Sequence, residues 1–448
     1  MGKIDGYHMM VITQYFSLLK DFISIESVSK KYQCNMEKFH SNPIPLTYKT
    51  IKYFPNIETL NIWSKNDEFF GNTIFDFTKE NSQKKIDFFR INIWFGVEYT
   101  FAQLHSDTNF SFKNYIYTKE DREKYGDTIP YKTKALGANY LKNSQITTFD
   151  IPKVITSIGT NCFFKCTSLT SVTLSDALKE IGDNCFSQCQ SLVSIDIPQS
   201  VYKIGNNSFS HCDKITSIKL PEGLVTLSTD LFGFCNKLDS VTFPSYLLTI
   251  WDRCFEFCMS LKSIKIAQCD NSIGECAFLS CTNLTSVFIG GNCFNLGESC
   301  FMGCISLVSI QLPDNISRFG IECFSRCSSL SGIKLPSKLR EITKMCFSNC
   351  SKLENVLIPE FVTRIGIRSF EYCVSLKTIS VPSRLKEIET KCFIGCTTLD
   401  ISLLNTVEKI GENCFENCQC IPKESKETKQ SELKITKEKE TLNKCSIS

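Results

Sequence analysis

The sequence has little of what most enzymes and nucleic-acid-binding proteins need. Only 4 of its 448 residues are histidines, and none stands in a recognisable Ser/His/Asp or Cys/His arrangement. It has no phosphate-binding loop of the G-x-x-x-x-G-K-[ST] type. The formal net charge is only +3, whereas a nucleic-acid binder normally carries a basic face. We therefore expect a non-enzyme that uses no metal, cofactor or small-molecule substrate and binds no nucleic acid.

Long apolar segments are also missing. No window reaches the roughly 18 apolar residues that a membrane-spanning helix requires. Near the N-terminus, Thr13, Gln14 and Ser17 interrupt the apolar residues, and no small-residue cleavage site follows, unlike in a secretory signal peptide. These absences predict a reducing, intracellular setting.

Phenylalanine and cysteine, by contrast, are abundant and periodic. Eleven Phe residues from Phe163 to Phe393 lie 23 residues apart, and Phe415 follows after 22. Each is followed three residues later by a cysteine, from Cys166 to Cys418. The structural columns of the repeat thus begin with Phe163, Phe186, Phe209, Cys166, Cys189 and Cys212. A fixed period over twelve units predicts a solenoid whose stacked turns share one interior.

One unit shows how each turn should fold. Residues 169–174 read Leu-Thr-Ser-Val-Thr-Leu, an L-x-x-L-x-L pattern whose alternation is typical of a strand. The pair Ile181-Gly182 places an apolar anchor beside a residue that is free to adopt a positive φ. The segment 184–189 is long enough for one or two helical turns.

This unit resembles that of the BspA-like, or Treponema-type, leucine-rich repeat family, over about residues 146–420. The resemblance implies an α/β repeat solenoid, a leucine-rich-repeat horseshoe used for binding. Its parallel β-sheet would line the concave face, and short helical turns or loops would form the convex face. Members from parasitic protists look like surface or membrane-associated proteins, which implies a cell-surface adhesion protein or antigen as an alternative function.

The cysteines allow three interpretations. Eight units carry a second cysteine directly before the Phe, which gives Cys-x-x-x-Cys pairs. Zinc and disulfides are both conceivable, but no histidine accompanies the pairs and the other units have Ser, Leu or Ala at this place. We therefore favour reduced thiols that fill a small buried slot. Five cysteines fit neither column nor the C-terminal motif, namely Cys34, Cys269, Cys276, Cys293 and Cys420.

Outward-facing strand positions supply the candidate binding residues. One column is Ser in seven of its ten positions, from Ser171 to Ser309, whereas the next contains lysines and two exposed apolar residues. Apolar side chains on a polar face are candidate interface anchors. The candidate partner contacts on the concave sheet are Phe288, Leu357, Lys219, Lys265 and Lys334. Near this face, Ala267, Gly290 and Gly291 replace the usual Pro motif in a variant stretch, 267–297.

Residues 1–135 do not follow the 23-residue frame. Met9, Ile12, Phe16, Leu19 and Ile23 recur at helical spacing, and strand-like segments follow. Residues 18–32 also resemble the second half of an F-box, without its Leu-Pro opening, so a ubiquitin-ligase substrate receptor is a further alternative. We expect a mixed α/β cap over the first repeat of the 136–420 solenoid, although irregular repeats would give a similar pattern.

The C-terminal end suggests lipidation. Residues 421–444 contain seven Lys, five Glu and no aromatic residue, so we expect 421–448 to be a disordered tether. The last four residues, Cys445-Ser446-Ile447-Ser448, match the C-a-a-X pattern of the farnesyl class. The leading hypothesis is a non-catalytic scaffold that binds a protein ligand and is held on the cytoplasmic face of the plasma membrane by farnesylated Cys445.

Overall fold

The computed structural model describes residues 5–72, 74–75, 84–402, 404 and 407–418. These residues divide into two compact units. Unit 1 comprises residues up to Tyr140 together with Val154–Gly159, and unit 2 comprises Leu141–Lys153 and the residues from Thr160 onward. The predicted tether and Cys445 lie outside the described residues.

Unit 1 is built on parallel strands. Its strands, numbered in chain order through both units, are β1 (Thr59–Ile62), β2 (Arg90–Glu98), β3 (Phe110–Tyr117), β4 (Thr133–Leu136) and β6 (Ser157–Ile158). Each pairs in parallel with the next, at offsets of 31 residues for β1 and β2, 19 for β2 and β3, and 22 for β4 and β6. The strands of unit 1 do not repeat at a spacing of 23 residues. They are nevertheless parallel and stacked in chain order, like turns of unequal length.

The described part of unit 1 has four α-helices, two before β1 and two in the connections between strands. They are α1 (Gly6–Thr13), α2 (Leu19–Val28), α3 (Tyr99–Leu104) and α4 (Lys119–Tyr125). The apolar periodicity from Met9 to Ile23 therefore spans two helices, because the chain at Leu18 is extended before α2 begins. Among the described residues, no helix has the length and apolar character needed to cross a membrane.

A buried carboxylate holds two of these helices together. Asp121 is 1% exposed and completes a capping box with Thr118 at the start of α4. Its other contacts reach the start of α3, where it accepts hydrogen bonds from the Thr100 N–H at 2.7 Å and the Tyr99 N–H at 3.3 Å. One side chain thus satisfies the free N–H groups of two helix starts.

Unit 2 is a parallel β-solenoid, which confirms the predicted repeat fold. Most turns contribute two short strands to two different ladders. We call the first set front strands: β5 (Thr148–Asp150), β7 (Ser171–Thr173), β10 (Ser217–Lys219), β12 (Ser240–Thr242), β14 (Ser263–Ile266), β16 (Ser286–Ile289), β18 (Ser309–Gln311), β21 (Asn355–Val356) and β23 (Thr378–Ile379). The second set are side strands: β8 (Glu180–Ile181), β9 (Lys203–Ile204), β11 (Thr226–Leu227), β13 (Leu247–Ile250), β15 (Cys269–Ile273), β17 (Asn295–Leu296), β19 (Arg318–Phe319), β20 (Glu341–Ile342), β22 (Arg364–Ile365), β24 (Glu387–Ile388) and β25 (Lys409–Ile410).

The 23-residue period is the register of these ladders. Ser240 pairs with Ser217, and Phe288 pairs with Lys265. In both pairs the two residues are 23 positions apart in the sequence. One exception is the variant stretch, where Leu247 pairs with Cys269 while Thr249 pairs with Ser272, so the register shifts by one residue. Loss of the Pro motif in the sequence therefore coincides with an irregular strand.

The repeat phenylalanines form a continuous stack in the interior. From Phe163 to Phe415, successive rings lie 5.0–5.9 Å apart between centroids, with interplanar angles of 2–16°. The rings from Phe163 to Phe393 are completely buried. A single turn could not bury its ring on both faces, so the hydrophobic core exists only because the turns stack.

The segment around each Phe forms a tight turn. Asn184 and Gln188, two residues before and after Phe186, both have positive φ, of 52° and 62°, and the same two places are left-handed in every repeat. Their N–H groups donate to the next turn at Asn206 O and Ser210 O, each at 2.8 Å. The described part of unit 2 contains no α-helix, so this segment takes the loop form of the prediction. The two left-handed residues on either side of each Phe direct their backbone N–H groups towards the neighbouring turn. In an α-helix these N–H groups would bond within the helix instead.

The repeat glycine has a different role from the one that the sequence suggested. The glycine after the buried Ile does not use its freedom to adopt a positive φ, since Gly205, Gly274 and Gly320 are not among the left-handed residues. A Cβ at Gly320 would instead lie 2.2 Å from the backbone nitrogen of Glu298 in the preceding turn. Glycine is favoured here because the turns approach too closely for a side chain.

The cysteine that follows each Phe ties neighbouring turns together. Cys189 Sγ donates to Phe163 O at 3.2 Å, and the equivalent bond recurs along the column as far as Cys418. Burial raises the pKa of the Cys235 and Cys304 thiols to about 12. These thiols are therefore protonated hydrogen-bond donors at neutral pH, and they are poor nucleophiles.

Candidate binding surfaces

The front strands present a flat, polar surface, which we call the front face. Along β14, Ser263 and Lys265 are exposed while Ile264 and Ile266 are buried, as the two-residue alternation requires. Because the ladders keep the 23-residue register, equivalent residues of successive turns lie side by side. The outward side chains therefore form two continuous columns across the turns.

The structure brings some of the predicted contact residues together. Lys265 and Phe288 are directly paired on β14 and β16, and Gln311 follows Phe288 in the same column. Lys219 lies on β10, where Thr242 is its paired neighbour on β12. The predicted residues thus share one column, in which polar side chains such as Thr242 and Gln311 separate them.

Leu357 is the most conspicuous residue of this face. It is 78% exposed, whereas Phe288 is half-buried. The bridge between Gly332 and Asn355 continues the register, which places Lys334 before Leu357 in the column. Lys334 itself approaches Asp314 at 4.0 Å, a solvent-exposed pair of little energetic weight. Lys334 can therefore leave Asp314 at little cost to contact a partner.

A second apolar surface was not anticipated from the sequence. Tyr202, Val225, Leu248 and Phe294 are 40–52% exposed and stand just before or at the start of the side strands. Leu248 N donates to Val225 O at 2.7 Å, so these residues are neighbours along the ladder. We call the four residues the side stripe. They share one position of the 23-residue frame, and that common position is the signal that could have identified them.

A short stack of aromatic rings lies in the tight turns, at the position two residues after the repeat Phe. His211, Phe234 and Phe257 stack in succession, with ring centroids 4.6 and 5.0 Å apart. All three are left-handed, a conformation that is unfavourable for bulky residues. Stacking offsets part of that cost, since each aromatic pair contributes about 0.5–1.5 kcal/mol.

No group of three or more His, Cys, Asp or Glu side chains in the described ranges is placed to hold a metal ion. The repeat thiols donate to backbone carbonyls instead. In unit 1, Phe22 of α2 is fully buried against Phe39 and Phe54, so this part of the F-box-like segment is committed to the unit's own core.

A family model agrees with this architecture. The model for the BspA type leucine rich repeat region matches residues 134–249, 203–320 and 294–422. The chain belongs to the BspA-type leucine-rich repeat family. The matched residues include all twelve Phe–Cys units, so the repeat resemblance stated above is confirmed.

This BspA-type chain is similar to solved structures of leucine-rich repeat proteins from bacteria. A protein from Bacteroides ovatus is 30% identical, with a TM-score of 0.53, over 65% of this chain and 82% of its own. A leucine rich cell surface protein from Faecalibacterium prausnitzii is 24% identical over 66% and 88%, with a TM-score of 0.41. A search of curated proteins found no match. Proteins of this repeat family are typically non-catalytic scaffolds, and the repeat geometry described above agrees with that.

Proposed function

We propose that this BspA-type protein is a non-catalytic scaffold that binds a protein partner on its front face. The observation that carries the proposal is the 78% exposure of Leu357 on an otherwise polar sheet that bears Lys265 and Lys334. An exposed apolar side chain surrounded by polar residues is a candidate interaction site, and the lysines would lie in the polar rim of such an interface. In this proposal the solenoid curves as a horseshoe with the front face on its concave side.

A photo-crosslinking amino acid at position 357 tests the proposal in the native cell. The matched control carries the same group at position 225 on the side stripe. We expect a discrete adduct from position 357 that is lost in the Lys334→Glu variant but kept in Lys262→Glu, because Lys262 is paired with Asp239 at 3.0 Å. Equal capture from both positions, or adducts that do not respond to Lys334→Glu, would contradict binding on the front face.

We further propose that Cys445 is farnesylated and holds the scaffold on a cytoplasmic membrane face. The support is the sequence Cys445-Ser446-Ile447-Ser448 alone, because these residues lie outside the described ranges. Mass spectrometry of the native C-terminal peptide should show a farnesyl thioether on Cys445, and Cys445→Ser should release the protein from membranes. Unchanged membrane association of Cys445→Ser would remove this part of the proposal.

Exposure at the cell surface is the competing location. A cell-surface protein is named among the similar structures, which motivates this alternative for the present chain. Labelling of intact cells with a non-permeant amine reagent separates the two locations. Labelled protein indicates the surface, whereas labelling only after lysis indicates the cytoplasmic side.

A further inference from the structure

A cleft in unit 1 gathers basic side chains without an acidic one among its described lining residues. Its volume is about 410 Å³, which lies within the range of small-molecule sites. The cationic side chains that line it are Lys38, His40, Arg90 and Lys113, and none of the described lining residues is Asp or Glu. A concave surface lined by charges of one sign attracts ligands of the opposite sign. The composition of this cleft therefore favours an anion.

The parallel strands of unit 1 bring these side chains together. Arg90 and Asn92 stand two residues apart on β2, so both face the same side of the sheet. Asn92 pairs with Ser111 on β3, and Lys113 follows two residues later on the same side. Thr59 of β1 pairs with Arg90 and also lines the cleft. Residues that are far apart in the sequence thus share one surface because the strands stack.

The positive charges of the cleft are not neutralised by the protein. No ion pair among the described residues involves Arg90 or Lys113. Lys113 is half-buried, and its Nζ donates to the neutral Ser111 Oγ at 2.7 Å. Burial lowers the pKa of Lys113, and so do the positive charges of Lys132 and Arg90. An anion bound between these groups would offset their mutual repulsion.

A carboxylate near the cleft would compete with such an anion. Glu58 Oε1 lies 3.7 Å from His40 Nδ1, and both side chains are exposed. An exposed pair of this kind contributes little energy, so an anion can replace Glu58 as the partner of His40. The negative charge of Glu58 itself repels an anion, which gives the site a residue whose removal should improve binding.

We propose that this cleft binds a small ligand that carries a phosphate or sulfate ester, with Arg90 and Lys113 as its principal contacts. The planar guanidinium of Arg90 can hold two oxygens of the oxoanion at once, and the Lys113 ammonium supplies a point charge. The polar side chains of Gln14, Ser41 and Thr59 line the same cleft and can bond to hydroxyl groups of the ligand. A sugar ester combines both kinds of group.

Calorimetric titration of the full chain at low salt tests this proposal, with glucose 6-phosphate, glucose 6-sulfate and glucose as the probes. At least one ester should bind, the tighter ester identifies the oxoanion that the site serves, and neutral glucose should not bind. Arg90→Gln and Lys113→Gln should each weaken ester binding by about tenfold or more, because each removes hydrogen bonds to a charged group. The matched control is Lys119→Gln, since Lys119 is paired with Glu123 at 3.5 Å and should not affect the affinity.

The proposal is overturned if neither ester binds more tightly than glucose, or if Lys119→Gln weakens binding as much as Lys113→Gln does. Glu58→Gln guards against variants that merely fail to fold, because a misfolded chain does not gain affinity. It should tighten ester binding about two- to fivefold by removing a nearby negative charge. Ester binding that neither Glu58→Gln nor Arg90→Gln alters would place the ligand elsewhere and would also overturn the proposal.

Discussion

Replacing Gly320 with alanine should destabilise unit 2, whereas the same change at Gly332 should not. The new Cβ at Gly320 would lie 2.2 Å from Glu298 N and 2.4 Å from Gly297 C. Both atoms are backbone of the preceding turn, to which Gly320 N is bonded through Leu296 O at 2.8 Å. The clash is relieved only when the turns separate, an overpacking cost of about 1–3 kcal/mol.

Gly332 provides the matched control. Its Cβ would meet nothing within 4 Å, and its φ is not left-handed, so alanine should stabilise by about 0.4–1 kcal/mol through the unfolded chain. Gly223 is intermediate, with the nearest atom, Val201 O, at 3.5 Å, and its alanine variant should be close to neutral. The same substitution thus tests contact distance alone.

Equilibrium urea unfolding measures these differences. Far-UV circular dichroism and the fluorescence of Trp251 should both place the midpoint of Gly320→Ala below that of Gly332→Ala, by roughly 1.4–4 kcal/mol after conversion. Thr343 fills the equivalent place one turn later and donates to Gly320 O at 2.8 Å, so the backbone can widen to admit a side chain. Because the backbone can widen in this way, we expect only a moderate loss in the free energy of unfolding for Gly320→Ala. Equal midpoints for the two variants would refute the explanation by close approach.

Three other predictions concern the core and the charged network. Phe278→Ala removes a ring stacked on both sides and should cost about 3–5 kcal/mol in urea unfolding, whereas Phe294→Ala on the side stripe should cost less than about 1. Stability should fall as the pH rises from 9 towards 12, because the Cys235 pKa is raised from 9.0 to about 12 and the unfolded chain releases that proton first. Each such thiol contributes about 1.4 kcal/mol per pH unit there, so Cys235→Ala should flatten the decline of the urea midpoint. Asp121→Ala should destabilise unit 1 by at least about 2 kcal/mol, detected as faster limited proteolysis, because buried N–H groups lose their acceptor.

Each of these predictions has a result that would contradict it. Similar losses for Phe278→Ala and Phe294→Ala would mean that the ring stack contributes no more than a surface contact. A pH profile that Cys235→Ala leaves unchanged would assign the alkaline loss to other groups. Unaltered proteolysis of Asp121→Ala would show that α3 and α4 do not depend on the shared carboxylate.

The sequence predicted the repeat well because its signal is strictly periodic. The residues that recur, Phe at its centre and Leu and Ile in the strands, are the ones buried in the solenoid. The sequence did not predict backbone conformations that are set by contacts between neighbouring turns. Lys165, Gln188 and Phe234 stand at the same place of the repeat and differ in chemistry, yet all three are left-handed and donate their N–H groups to the next turn.

The candidate surfaces were predictable only in part. Alternation along the strand identifies Leu357 as outward-facing, since the two-residue period is local. The side stripe was missed because Tyr202, Val225 and Leu248 alternate with no clear pattern in their own segments. Their exposure depends on how the side strands pack against the core, which is a property of the tertiary structure.

The sequence alone determined the period and which residues of each regular turn face the interior, because one turn's local pattern is copied along the chain. The tertiary structure decided how neighbouring turns meet. It showed that glycines such as Gly320 prevent a clash between turns, that the cysteine three residues after each Phe donates to the preceding turn, and that the register between β13 and β15 shifts by one residue. These are distances between residues about 23 positions apart, which no local pattern records.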